Sequence, residues 1–263
     1  MVYVRGMNGP VKLISGVTLT AVMLAASAGC LKVDLVDPGE VTILPPGGKH
    51  VLFIGNSLTY TNSLPQTVID LAAASGDTIR ALQVALPNFA VIDHALGMSN
   101  AVPVIQSQSW DYVVIQQGPT TTQVNRDTLV LAAKILDPYV KTAGGRIAAF
   151  MAWPNIQDSH LFNAVRVSAS QAAEAVGGVF IPAGQAWQAS MAEDPAIQLY
   201  GADGYHPGPL GTYLAALVTY EEITGKDARE LPDEATVAGV RMTVSKQVVQ
   251  HLQRIAHETA LKY

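Results

Sequence analysis

Charged residues are scarce in this chain. They make up 14% of its 263 residues, with 16 Lys and Arg against 21 Asp and Glu, for a formal net charge of -5. The basic residues are scattered rather than grouped, so the electrostatic footprint of nucleic-acid binding is missing and nucleic acid is not an expected partner. Cysteine is nearly absent. Cys30 is single, which excludes an internal disulfide in any compartment. Aromatics are few, at 6%. There is no internal repeat. No grouping of His, Cys and carboxylates has the spacing of a zinc site.

What is present begins with an apolar amino terminus. Arg5 and Lys12 supply positive charge, and Leu13 to Ala28 is almost wholly apolar or small. That stretch is too short for a comfortable membrane span and fits a signal peptide. It ends at Ser27-Ala28-Gly29-Cys30, which resembles the lipobox of bacterial lipoproteins. The resemblance implies a signal peptide over residues 1–29, a lipidated Cys30, and an exported protein held on a membrane, on the periplasmic side or the cell surface. Ser27 departs from the leucine preferred three residues before the cysteine. An ordinary signal peptide with a chance cysteine is the alternative. Residues 30–49 contain Pro38-Gly39 and Pro45-Pro46-Gly47-Gly48, without a clear period. They read as a tether.

Roughly 215 residues remain from His50 to Tyr263, enough for one α/β domain with its own core. Its first apolar run, Val51-Leu52-Phe53-Ile54, has the composition of a strand buried on both faces. Gly55 and Asn56 break it, and Ser57 stands on the turn. A helical pattern follows from Leu64. Further strands are expected at Ile79–Ala85, Tyr112–Ile115, Ile147–Met151 and Val179–Ile181. Helical patterns lie between them: Val91–Ile105 broken near Gly97 and Pro103, Arg126–Thr142, Asn163–Val176 and Gly184–Ala192. The last helices are Leu210–Ile223 and Val244–Leu261. This alternation implies a mostly parallel five-stranded sheet covered on both faces.

In such sheets the chemistry sits at the carboxyl ends of the strands. Those ends read Gly55-Asn56-Ser57-Leu58-Thr59, Leu86-Pro87-Asn88-Phe89-Ala90, Gln116-Gln117-Gly118-Pro119 and Ala152-Trp153-Pro154-Asn155. Near the end of the chain stands Asp203-Gly204-Tyr205-His206-Pro207. A serine near a helix start usually caps it. As a nucleophile it needs a base, an acceptor that orients the base, and donors for the oxyanion. His206, Asp203 and Gln117 have the right chemistry. Taken alone, the Asp203 block also reads as a surface turn. Trp153, at the fourth strand end, is expected either to line a substrate groove or to pack. His94 is expected at the surface or behind the site. His50 and His160 lie at element edges, and His251 and His257 do not share a helix face well.

Together the blocks at Gly55–Thr59 and Asp203–Pro207 resemble the SGNH, or GDSL-like, hydrolases. Leu199-Tyr200 and Gly211-Thr212-Tyr213-Leu214-Ala215-Ala216 add to the likeness, which spans His50 to about Gly225. It implies a three-layer α/β/α sandwich of flavodoxin-like type and an ester-cleaving serine enzyme that needs no cofactor. It also implies Ser57 as nucleophile, His206 as base and Asp203 as its orienter. The oxyanion donors would be the Ser57 N–H, a backbone N–H near Asn88 and the Gln117 amide. Two departures stand out. The family often has a glycine after the second strand, where this chain has Asn88-Phe89-Ala90. Its third block often carries Gly-x-Asn-Asp, where this chain has Gln116-Gln117-Gly118, closer to carbohydrate acetylesterase-like branches. The expected partners are a small-molecule or glycan ester and, through Cys30, a membrane. A non-catalytic surface lipoprotein that binds glycan in the same crevice is one alternative. A lipase for longer acyl chains is the other.

Overall fold

The computed structural model describes residues 41–263. The expected signal peptide, Cys30 and the first part of the expected tether lie outside the described residues. Five strands form one parallel sheet: β1 (Lys49–Gly55), β2 (Ile79–Ala85), β3 (Tyr112–Gln116), β4 (Arg146–Phe150) and β5 (Val179–Ile181). Their order is β2-β1-β3-β4-β5. All four pairings are parallel. The chain crosses from one side of β1 to the other when it enters β3. A crevice opens at that switch, above the carboxyl ends of β1 and β3.

Period-two alternation divides the core. Val51, Phe53, Val114, Ala148 and Phe150 point to one face. Leu52, Ile54, Val113, Ile115, Ile147 and Ala149 point to the other. Strands buried on both faces read as unbroken apolar runs for this reason. The first face is covered by α2 (Leu64–Ala74), α7 (Ala183–Glu193), α8 (Pro209–Thr224) and α9 (Lys246–Lys262). The second is covered by α3 (Val91–Ala95), α4 (Ala101–Ser107) and α5 (Gln123–Thr142). Helix α6 (Phe162–Glu174) contributes to both clusters. A one-turn helix, α1 (Ser57–Tyr60), sits between β1 and α2.

Most expected elements are present within a few residues of their bounds. Pro103 does not break a helix, because it lies in the first turn of α4, where the N–H that proline lacks has no intrahelical partner anyway. The break is at Gly97, in the left-handed region at φ +82°. The tether reading fails for its described end. Val41 and Leu44 pack on the α4–α5 face, Leu44 N donates to Gln108, and Gln108 donates to the Thr42 carbonyl. His50 binds Pro45 and Ser109 carbonyls, so the domain begins before His50. The chain thus enters at the amino ends of the strands. A short hairpin, β6 (Thr236–Val237) and β7 (Val240–Arg241), turns through Ala238 and Gly239 at φ +50° and +78°. It carries too few apolar residues to show in the sequence.

Candidate active site

The turn after β1 has no spare volume. A Cβ at Gly55 would lie 2.3 Å from Thr59 Oγ1 and 2.6 Å from Gln116 Oε1. Asn56 caps α1, its side-chain oxygen accepting from Leu58 N at 3.1 Å. Its Nδ2 donates to the Phe89 carbonyl at 3.0 Å. The capping is therefore done by Asn56, and the Ser57 hydroxyl is left for other chemistry.

Two buried side chains support this turn. Gln116 Oε1 accepts from Asn56 N at 3.1 Å and from Thr59 Oγ1 at 2.8 Å. His94 Nε2 bonds the Gly55 carbonyl at 2.9 Å, and its Nδ1 bonds Ser99 Oγ at 2.8 Å. Burial pushes the His94 imidazole below its ordinary pKa, although the Gly55 bond opposes this. A neutral ring fits both bonds, donating from Nε2 and accepting at Nδ1.

The second half of the site hangs on the loop between α7 and α8. Asp203 Oδ1 accepts from Tyr205 N and His206 N at 3.0 and 2.9 Å. Asp203 Oδ2 lies 2.5 Å from His206 Nδ1. The bond to His206 and then the two backbone donors hold the Asp203 carboxyl down to about 2. Asp203 is therefore an acceptor at neutral pH, which places the proton on His206 Nδ1. His206 Nε2 then faces Ser57 Oγ at 2.9 Å. Ser57, His206 and Asp203 form one connected line, as the paired blocks imply.

Trp153 is corrected. It is 1% exposed and stacks on Trp187 with ring centroids 3.6 Å apart. Its indole N–H donates to the Tyr205 carbonyl at 3.1 Å. It supports the His206 loop from below and cannot line a groove. An aromatic at a strand end reads the same in sequence for either role. Gly211 makes room for this stack, since a Cβ there would meet Trp187 at 2.4 Å.

Asn88 adopts φ +61°, in the left-handed region that glycine enters freely and asparagine tolerates best among other residues. An asparagine here thus supplies a backbone conformation that glycine would otherwise provide. Phe89 N donates to Leu86 O, and Ala90 N to Asp93. The N–H groups of Asn88 and Ser57 have no partner among the described residues. Gln117 accepts from Val91 N at 3.1 Å and donates to Thr120 Oγ1 at 2.7 Å. One N–H of its amide is left over. Asn88, Gln117 and Asn56 line a groove of about 430 Å³ with Phe89, Asn125 and Tyr205. No charged side chain lines it.

The sequence also missed two histidine clusters. Glu221, Asp227 and His257 bring ligand-type atoms within 4.8 Å of one another. Their capacity is taken up internally. His257 Nδ1 bonds Glu221 Oε1 at 2.6 Å, Glu221 Oε2 accepts from Ala228 N, and Asp227 is paired with Arg229. The cluster staples α9 to α8. His251 bonds Ser190 and Arg254 and joins α9 to α7. These partners lie far apart in sequence and have no local signature.

No protein-family model matches the sequence, and neither does any curated protein. Solved structures do match. A DUF4886 family protein from Bacteroides uniformis is 19% identical with a TM-score of 0.69, over 81% of this chain and 95% of that one. A protein from Slackia heliotrinireducens assigned to the SGNH hydrolases is 24% identical with a TM-score of 0.56, over 67% of this chain and 100% of its own. An acetylxylan esterase from Geobacillus stearothermophilus is 18% identical with a TM-score of 0.55, over 69% of this chain and 97% of its own. At these identities the likeness is one of architecture. The five-stranded parallel sheet, with helices on both faces and a serine after its first strand, has the fold of the SGNH hydrolases.

Proposed function

We propose that this chain is an exported serine esterase that hydrolyses carboxylic esters, including acetyl esters on carbohydrate. The observation that carries the reading is the line Asp203–His206–Ser57, with heavy-atom separations of 2.5 and 2.9 Å. A serine hydroxyl is a poor nucleophile until a base takes its proton. His206 Nε2 is within reach of that proton, and Asp203 fixes the tautomer and favours the imidazolium that forms. Ser57 Oγ attacks the ester carbonyl carbon. The alcohol leaves with the proton that His206 has taken, and an acyl group stays on Ser57. Water then repeats the attack through His206, giving the acid and free Ser57.

The developing oxyanion needs preorganised donors. The unpartnered N–H groups of Ser57 and Asn88 and the remaining Gln117 N–H suit that task. The adjoining groove, lined by amides, a phenol and a phenyl ring and free of charge, suits a neutral hydroxylated alcohol. That favours an acylated sugar over a long acyl chain. The acetylxylan esterase shares the architecture. Export and anchoring rest on Leu13–Ala28 and Cys30; release of a Cys30→Ser variant from membranes is the expected result.

The test is a panel of short-chain aryl esters and acetylated sugars, with a fluorophosphonate probe. Ser57 should be the labelled residue. Ser57→Ala should lose at least about 10⁴ in kcat, since triad members act as a unit. The Asp203 carboxyl stays ionised down to about 2, so its own protonation should not limit kcat/KM at any pH above that value. A wild-type protein that binds acetylated glycan but neither turns over nor takes the label is instead a glycan-binding module.

A further inference from the structure

We propose that Asn62 is a positioning residue that holds the base against the nucleophile; the inference rests on the esterase reading above. Asn62 follows α1, five residues after Ser57. It lies in the left-handed region at φ +53°, and Ser63 follows at φ +52°. Two successive non-glycine residues there are unusual, and asparagine is among the side chains that tolerate it. Ser63, the residue before α2, makes no side-chain cap, so capping does not explain the geometry.

The turn does aim the Asn62 amide. Its Nδ2 donates to the Pro207 carbonyl at 2.8 Å and to Thr212 Oγ1 at 3.1 Å. Pro207 is the residue directly after His206 and lies 145 positions from Asn62. Thr212 is in the first turn of α8 and is 1% exposed. Both amide hydrogens are thus spent on the segment that carries the base. Among the described residues, only three hydrogen bonds join Asn56–Ser63 to Tyr200–Thr212. One is Ser57–His206 itself, and Asn62 makes the other two.

This matters because His206 sits on an outer loop, with its side chain 36% and that of Asp203 51% exposed. The other ties of that loop lead elsewhere. Trp153 and Ile156 bind it to the end of β4, and Gly201 N and Gly208 N tie it to itself. Among the described residues, Asn62 makes the only hydrogen bonds apart from Ser57–His206 itself that set the loop against the segment bearing Ser57. A displacement of about 1 Å between reacting groups can cost on the order of 10²-fold in rate.

The experiment compares Asn62→Gly, Asn62→Asp and Thr212→Val with wild type, using aryl-ester kinetics, fluorophosphonate labelling rates and thermal melts. Gly keeps the left-handed backbone and removes both donors. Asp keeps size and backbone tolerance but offers a carboxylate to the Pro207 carbonyl. Both should lower kcat by about 10- to 100-fold, with KM within twofold. The Ser57 labelling rate should fall in parallel, measured well below the melting temperature. Thr212→Val removes one acceptor and should cost less than either. Asn62→His, which restores a donor on a residue tolerant of this backbone, should recover part of the rate. If Asn62→Gly does not fold, Asn62→Asp gives the same reading. Full kcat and full labelling rate in both Gly and Asp variants, whatever their melting temperatures, would overturn the assignment. Failure of wild type to cleave esters or label at Ser57 overturns the esterase reading instead, and is a separate result.

Discussion

The two halves of the candidate catalytic line are built differently. Ser57 stands on a turn with no free volume, supported by the buried side chains of Gln116 and His94. Asp203 and His206 stand on an outer loop whose shape comes mainly from backbone hydrogen bonds and one buried indole. A nucleophile elbow must resist strain, and close packing on the sheet end does that. The base must accept and return a proton within one cycle, and a partly solvated loop accommodates the charge that comes and goes. The elbow should therefore fail through stability, and the loop through chemistry.

The largest effect should come from the loop. Asp203→Asn keeps the shape but leaves His206 free to adopt the wrong tautomer, and kcat should fall by about 10⁴. The melting temperature should barely move, since the carboxylate is exposed. A large drop in melting temperature would blur the distinction. Trp153→Ala should be next. It removes a buried ring together with the donor to Tyr205 O, at about 3–5 kcal/mol. For a domain of this size that is roughly 6–20 °C in thermal melts. It is the test in which loop chemistry and core stability should fall together.

The elbow gives a smaller change of the opposite character. Gln116→Ala leaves the Asn56 N–H and the Thr59 hydroxyl without their buried acceptor, at about 1–3 kcal/mol. Denaturant unfolding should show that loss, and kcat per folded molecule should fall far less than in Asp203→Asn. An unchanged stability with collapsed kcat would reverse the assignment of roles.

The smallest effect lies outside both halves. Burial, and then the neighbouring Glu221 charge, push Glu222 on α8 up to about 7. Its unfolded value is about 4.3, so between these values the folded state holds a proton that the unfolded state has lost. Stability should therefore decline as pH rises from about 4 to 7. Glu222→Gln should flatten that decline by a few degrees, with kcat per folded molecule unchanged. Melts at pH 5 and pH 8 for both proteins check it.

The parallel strands were legible because apolar runs bounded by Gly, Pro and Asn have few other meanings. The line Ser57–His206–Asp203 was legible because each of its blocks is local: Asp203 and His206 sit three residues apart, and Ser57 follows its strand at once. The supports were not legible. Alternation along β3 assigns Gln116 and Gln117 to opposite faces, and the structure keeps that. Nothing local says that α1 lies on the Gln116 side, so Gln116 holds the elbow while Gln117 meets Val91 and Thr120. Asn62 is still less visible, because its partners are set by how the whole chain closes. Trp153 shows the same limit from the other side, since a tryptophan at a strand end carries no mark of what will cover it.

The entry of the chain has a practical consequence. Residues 41–48 lie beside Gln108 and Ser109, at the opposite end of the sheet from Ser57. β1 spans seven residues between the two ends, roughly 20 Å of strand. A resin, reporter or partner domain joined upstream of Val41 is therefore attached behind the sheet and leaves the groove open. A tag joined near Gly204, beside Asp203, would crowd it. For immobilising the protein on a support, the amino-terminal side is the one that keeps the groove accessible.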